Sequence, residues 1–232
     1  MWGHRVEKDP VVQGETNGIG YPFRSGGVAG GIASKNCLTR DSFMEVFFTS
    51  TLLVAVAEIG DKTMLLAILL ATRFKKPIPV IAGIFIATII NHALAAWAGS
   101  ALAAIFMSDI FGYAVAIGFI LMAAWTLIPD KVDDNIKVAS QRGAFVATAI
   151  AFFLVEMGDK TQVATIALGA QYHAVWAVAA GTTFGMMIAN VPAVYLGERL
   201  VAKISLRMVH IIAAAMFLLL GLWQLWELSS RA

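Results

Sequence analysis

Hydrophobic positions fall into six long blocks separated by short polar joints. The blocks run over 44–71, 79–106, 110–128, 144–170, 174–196 and 208–226. Each reaches, or nearly reaches, the ~20 residues that cross a bilayer as a helix. A segment in lipid must satisfy its own backbone, so these blocks are predicted to be helices. The pattern therefore predicts an all-α membrane protein. The joints are short, and the longest spans 129–143. No separate soluble domain is expected after residue 43. Residues 1–43 are polar and glycine-rich, without the continuous apolar run of a signal peptide. Two readings of them stay open: a disordered extension, or a chain whose translation starts at Met44.

Basic residues are unevenly shared among the joints. Arg73, Lys75 and Lys76 follow the first block, Lys131, Lys137 and Arg142 the third, and Arg199, Lys203 and Arg207 the fifth. The joints after blocks two and four carry none. The positive-inside rule puts the three basic joints in the cytoplasm and both termini outside. Lys35 and Arg40, near the first block, run against this assignment.

The chain also repeats itself. Ala57–Thr63 reads AEIGDKT and Val155–Thr161 reads VEMGDKT, an offset of 156 − 58 = 98 residues. The same offset relates Phe47 to Phe145, Gly83 to Gly181, Gly99 to Gly197, Phe119 to Phe217 and Trp125 to Trp223. Blocks one to three thus recur as blocks four to six. Three crossings are an odd number, so the second half enters the membrane from the opposite side. This predicts two inverted three-helix repeats, 44–128 and 144–228, joined by a cytoplasmic connector at 129–143. Transporters use such inverted repeats to build one midplane site reachable from either face.

Composition sharpens the picture. The chain has 232 residues, is 59% hydrophobic and carries only 14% charged residues. That is well below the ~25% of soluble domains. A net charge of +2 gives no footprint for nucleic acid. The one cysteine, Cys37, excludes an intrachain disulfide and makes a thiolate metal centre implausible.

The few charges inside the blocks are therefore informative. Glu58 and Glu156 lie about fourteen and twelve residues into their blocks. At ~1.5 Å per residue both come near the bilayer centre. Asp61 and Asp159 follow at i+3, on the same helix face. Lys62 and Lys160 come next. Each such charge costs roughly 2.5–3.5 kcal/mol at the bilayer centre. Local Glu–Lys bridges at i,i+4 would lock helices together but leave both aspartates unexplained. A carboxylate cage around a cation explains all six groups, since four carboxylates and two lysines sum to −2. Hard oxygen donors suit Mn²⁺, Ca²⁺ or Mg²⁺. Protons compete with a metal ion for the same oxygens, which is a direct route to cation/proton exchange.

The surrounding residues divide between roles. Gly60 and Gly158 separate each glutamate from its aspartate, allowing local unwinding, close helix packing, or both. Thr63 and Thr161 offer hydroxyl ligands, although bonding back to the i−4 carbonyl is the favoured expectation. Asn91 and Asn190 offer amide oxygens, or simply helix-packing bonds. His92, which matches Asn190 at the repeat offset, reads more readily as a satisfied core histidine. Gln162 is a further transport-site candidate, but it faces Met64 in the first half and breaks the symmetry. Met157, Met186 and Met187 read as packing, the tryptophans as interface anchors or packing, and His173 and His210 as interfacial.

The doubled E-x-G-D-K-T motif, together with the stretch GTTFGMMIANVPAVYLG at Gly181–Gly197, resembles the transmembrane protein 165 family. That family has members in the yeast Golgi and in bacteria. The resemblance covers 44–228. It implies Mn²⁺ or Ca²⁺ transport coupled to protons, manganese export in bacteria, and metal-site acids at Glu58, Asp61, Glu156 and Asp159. No catalytic residue or resident cofactor is implied. The long polar N-terminus and the lack of a long acidic central loop favour a bacterial inner-membrane protein over a Golgi one. Two rivals remain from the residues alone. One is another small-solute exporter, although no intramembrane arginine is present to hold a carboxylate. The other is a membrane-embedded lipid-pyrophosphate phosphatase, although the basic clamp that phosphate chemistry needs is missing.

Overall fold

The computed structural model describes residues 40–106, 109–128, 143–197 and 205–231. The expected extension up to residue 39 and most of the 129–143 connector lie outside the described residues, as do Lys131, Lys137, Arg142, Arg199 and Lys203. Among the described residues there are eight helices and no strand. We number them α1 Arg40–Glu58, α2 Lys62–Phe74, α3 Pro77–Ile105, α4 Asp109–Thr126, α5 Ala144–Glu156, α6 Lys160–Tyr172, α7 Val175–Leu196 and α8 Leu206–Arg231.

Apolar blocks two, three, five and six each form one helix, α3, α4, α7 and α8. Blocks one and four do not. Each is cut in two at its motif, after Glu58 and after Glu156. Three helices are long and apolar enough to cross a membrane alone: Pro77–Ile105, Val175–Leu196 and Leu206–Ser230. At ~1.5 Å per residue the 13-residue α2 and α6 reach only ~20 Å, two thirds of a ~30 Å hydrocarbon core. The first helix begins at Arg40, ahead of the apolar block at Met44. Helix formation there starts in polar sequence.

The outside of the molecule is oily, and its interior holds polar residues among small and apolar ones. Ile110, Trp176 and Ile78 are 81%, 78% and 73% exposed. Ser50, Thr88, Thr148 and Thr182, in contrast, are fully buried. Without a hydrophobic drive between helices in lipid, small residues that let backbones approach hold such a bundle together. Gly83 on α3 lies against α5, where an added Cβ would stand 2.7 Å from the Phe145 carbonyl oxygen and 2.8 Å from Thr148 Cβ. Gly181 on α7 lies against α1 in the same way, 2.5 Å from the Phe47 carbonyl oxygen and 3.0 Å from Ser50 Cβ. These two contacts involve the same positions of the 98-residue repeat, exchanged between halves. The Thr51 hydroxyl adds a 3.0 Å bond to the Gly181 carbonyl. Further out, α4 packs along α8, and α3 packs along both α6 and α7.

Candidate metal centre

The site is made by the two helix breaks. At the first, α1 ends at Glu58 and the Asp61 N–H donates 3.1 Å back to the Glu58 carbonyl. Gly60 carries the turn at φ +85°. At the second, the Asp159 N–H donates 3.1 Å to the Glu156 carbonyl and Gly158 sits at φ +81°. A left-handed residue costs a side chain roughly 1–2 kcal/mol, so glycine is the residue that closes this turn. The expected unwinding is thus present at both motifs. Among the described residues, close packing accompanies it only at Gly60, which is covered by the Leu206 side chain; an added Cβ at Gly158 would meet none of them within 4 Å.

The break places Asp61 and Asp159 at the N-caps of α2 and α6, with ψ of 169° and 165°. An N-cap aspartate normally bonds an N–H of its own helix. Neither side chain does so. Both carboxylates point instead to the meeting place of the motifs, while the positive ends of α2 and α6 offset part of their desolvation cost. Asp61 and Asp159 are 5% and 2% exposed, and Glu58 and Glu156 are fully buried. Among the described residues, Glu58, Asp61 and Asp159 bring one carboxylate oxygen each within 4.8 Å of one another.

Lys62 reaches across to the other motif, 2.7 Å from Asp159 Oδ1. Lys160 is buried and donates 2.7 Å to the carbonyl of Ile128, just beyond α4. The threonines correct the backbone-bonding expectation. Thr63 donates to Glu58 Oε2, and Thr161 donates 3.2 Å to Asp159 Oδ2. The charged acceptor wins over the carbonyl of the preceding turn, because a hydrogen bond to a carboxylate is the stronger one.

The remaining candidates spread outward. The Gln162 oxygen accepts 2.6 Å from the Gly158 N–H and so braces the turn. Asn91 donates 3.1 Å to the Phe153 carbonyl, a helix-packing bond. Asn190 donates to Met186, 3.0 Å to its carbonyl and 2.9 Å to its sulfur, while its Oδ1 is buried without a hydrogen-bond partner among the described residues. Several groups are closer to the site than the sequence indicated. His92 is fully buried with Nε2 3.7 Å from Glu156 Oε2. His210, expected at the interface, lines a small cavity with Ala57, Asp61, Thr126, Lys160 and Thr161. His92 carried one signal, its match to Asn190 across the repeat; His210 carried none.

Chemically, this is a buried pocket of hard oxygens. Glu58 Oε1 and both Glu156 oxygens are buried without hydrogen-bond partners among the described residues. Unsatisfied buried carboxylate oxygens are costly, and a cation or a proton satisfies them.

Comparison with known proteins shows the family. The model of the divalent cation/proton antiporter GDT1 family matches twice, over 46–134 and 144–232. The two matches are offset by 144 − 46 = 98 residues, the spacing of the internal repeat. A Vibrio cholerae protein named "Putative manganese exporter" is 51% identical over 180 residues, covering 77% of this chain and 90% of that one. A GDT1-like protein of Synechocystis is 29% identical over 204 residues, 79% of this chain and 98% of its own. A rice GDT1-like protein 3 is 26% identical over 241 residues, 93% of this chain and 80% of its own. No solved structure matches. The family is one of transporters rather than enzymes, which sets the phosphatase reading aside. The chain is a membrane protein of the GDT1 family of divalent cation/proton antiporters.

Proposed function

We propose that the chain is a manganese exporter of the bacterial inner membrane. It exchanges Mn²⁺ for protons through one midplane site built from both E-x-G-D-K-T motifs, with Ca²⁺ as the alternative cargo. The observation that carries this reading is the meeting of Glu58, Asp61 and Asp159, from two distant motifs, with oxygens within 4.8 Å. Glu156 supplies the fourth carboxylate. The relative named for manganese export supports the choice of ion.

The proposed architecture is six crossings in two inverted repeats, 44–128 and 144–228, with α1–α2 and α5–α6 as broken crossings. The 98-residue offset, the doubled family match and the exchanged Gly83 and Gly181 contacts support it. Both termini lie outside and the joints after the first, third and fifth crossings are cytoplasmic. Within this frame, a broken helix lets each half-helix tilt while its motif stays in place. Among the described residues, Leu206 lies over Gly60, and Met157 is 55% exposed beside Gly158. Protons and Mn²⁺ compete for the carboxylates, so binding of one releases the other and couples their fluxes.

The test is growth of a bacterium lacking its own manganese efflux. Expressing the chain should restore growth in high Mn²⁺ and lower cell manganese. Expression in the membrane with cell manganese unchanged would contradict the proposal.

A further inference from the structure

Beside the three-carboxylate cluster lies a second group of buried polar atoms that no hydrogen bond explains. His92 is fully buried on α3, and neither ring nitrogen has a hydrogen-bond partner among the described residues. Glu156 faces it across 3.7 Å, too far for a hydrogen bond, and both of its oxygens are likewise unpartnered. In a purely structural role, four buried atoms in this condition would leave their desolvation cost uncompensated. The neighbouring Asn91 shows what a structural residue does here, since it bonds the Phe153 carbonyl at 3.1 Å. Thr88, one helical turn before His92, also has a buried hydroxyl without a partner among the described residues.

We propose that His92 and Glu156 form a nitrogen–oxygen metal station adjoining the carboxylate cluster, and that His92 sets the preference for a transition-metal ion over Ca²⁺ and Mg²⁺. The proposal rests on the cation-transport reading and deepens it. Two donors each ~2.1 Å from one first-row ion stand roughly 3–4 Å apart, which the His92–Glu156 separation fits. Asp159 lies within electrostatic reach of both residues, so the station borders the Lys62–Asp159 pair. Oxygen donors alone serve Ca²⁺, Mg²⁺ and Mn²⁺ alike, whereas an imidazole nitrogen favours transition metals. The repeat makes this a one-sided device: the position equivalent to His92 holds Asn190, an oxygen donor. The two halves then present different ligand sets to a moving ion.

The experiment is pulsed electron paramagnetic resonance on Mn²⁺ bound to the full chain in lipid nanodiscs, with Ca²⁺ competition measured in the same samples. A ¹⁴N modulation from a directly bound nitrogen is expected in the parent protein. It should vanish in His92→Asn and His92→Gln and persist in His173→Asn. The Mn²⁺-over-Ca²⁺ preference should fall about tenfold in both His92 variants. Bound Mn²⁺ without nitrogen modulation would overturn the station while leaving the carboxylate site standing. Equal loss of Mn²⁺ and Ca²⁺ affinity in both variants would overturn the selectivity role. Failure of the parent protein to bind Mn²⁺ would overturn this station and the transport reading together.

Discussion

Gly158 and Gly118 both have room for a methyl group, yet substitution should affect them in opposite directions. Among the described residues an added Cβ meets nothing within 4 Å at either position. Gly158 sits at φ +81°, whereas Gly118 lies inside α4. Gly158→Ala should lower stability by about 1–2 kcal/mol through backbone strain, and Gly118→Ala should raise it by about 0.5–1 kcal/mol. Thermal melts of the two variants in one detergent check this contrast. At the carboxylates, Glu58→Gln and Asp159→Asn should each abolish Mn²⁺ transport with helical content unchanged by circular dichroism. Flux at the parent level in both would remove the site from the mechanism. The four acids were legible in the sequence because charge inside an apolar block needs a reason. Their partners were not. Local spacing offers Lys62 to Glu58 four residues back, but the fold sends it to Asp159 in the other half. Such a choice depends on which faces meet, and one motif read alone does not contain it.

Hydropathy reads α1–α2 and α5–α6 as unbroken spans, because a cut of three residues hardly changes a window of about twenty. The signal for the break was chemical: a glycine between two acids, where backbone freedom and charge coincide. Glycine also governs how the helices pack. At Gly181 an added Cβ would stand 2.5 Å from the Phe47 carbonyl oxygen, and that oxygen is backbone and cannot turn aside. Gly181→Ala should therefore separate α7 from α1 and cost about 1–3 kcal/mol, as overpacking does. Gly83→Ala should do the same between α3 and α5, where the added Cβ would stand 2.7 Å from the Phe145 carbonyl oxygen. Melting temperatures unchanged in both would show these contacts to be looser than described. The start of α1 at Arg40 was hidden for a simpler reason: apolar blocks mark where lipid begins, not where helix begins.

For the whole molecule, the repeat was the most legible feature, since a constant offset through three blocks survives any detail of packing. The departure from symmetry was less so. His92 stands opposite Asn190, and among the described residues only the Gly60 turn is covered, by Leu206. These differences sit in single side chains. A ligand that binds only the folded state stabilises it, by ~2.7 kcal/mol at a hundred times its dissociation constant. Mn²⁺ should accordingly raise the melting temperature, a chelator should reverse the rise, and Glu58→Gln should remove it. The decisive measurement follows Mn²⁺ and internal pH together in proteoliposomes with an imposed pH gradient. Mn²⁺ should enter vesicles that are acidic inside while their lumen turns alkaline, and Asp159→Asn should stop both. Mn²⁺ movement that ignores the gradient and leaves internal pH unchanged would contradict proton exchange.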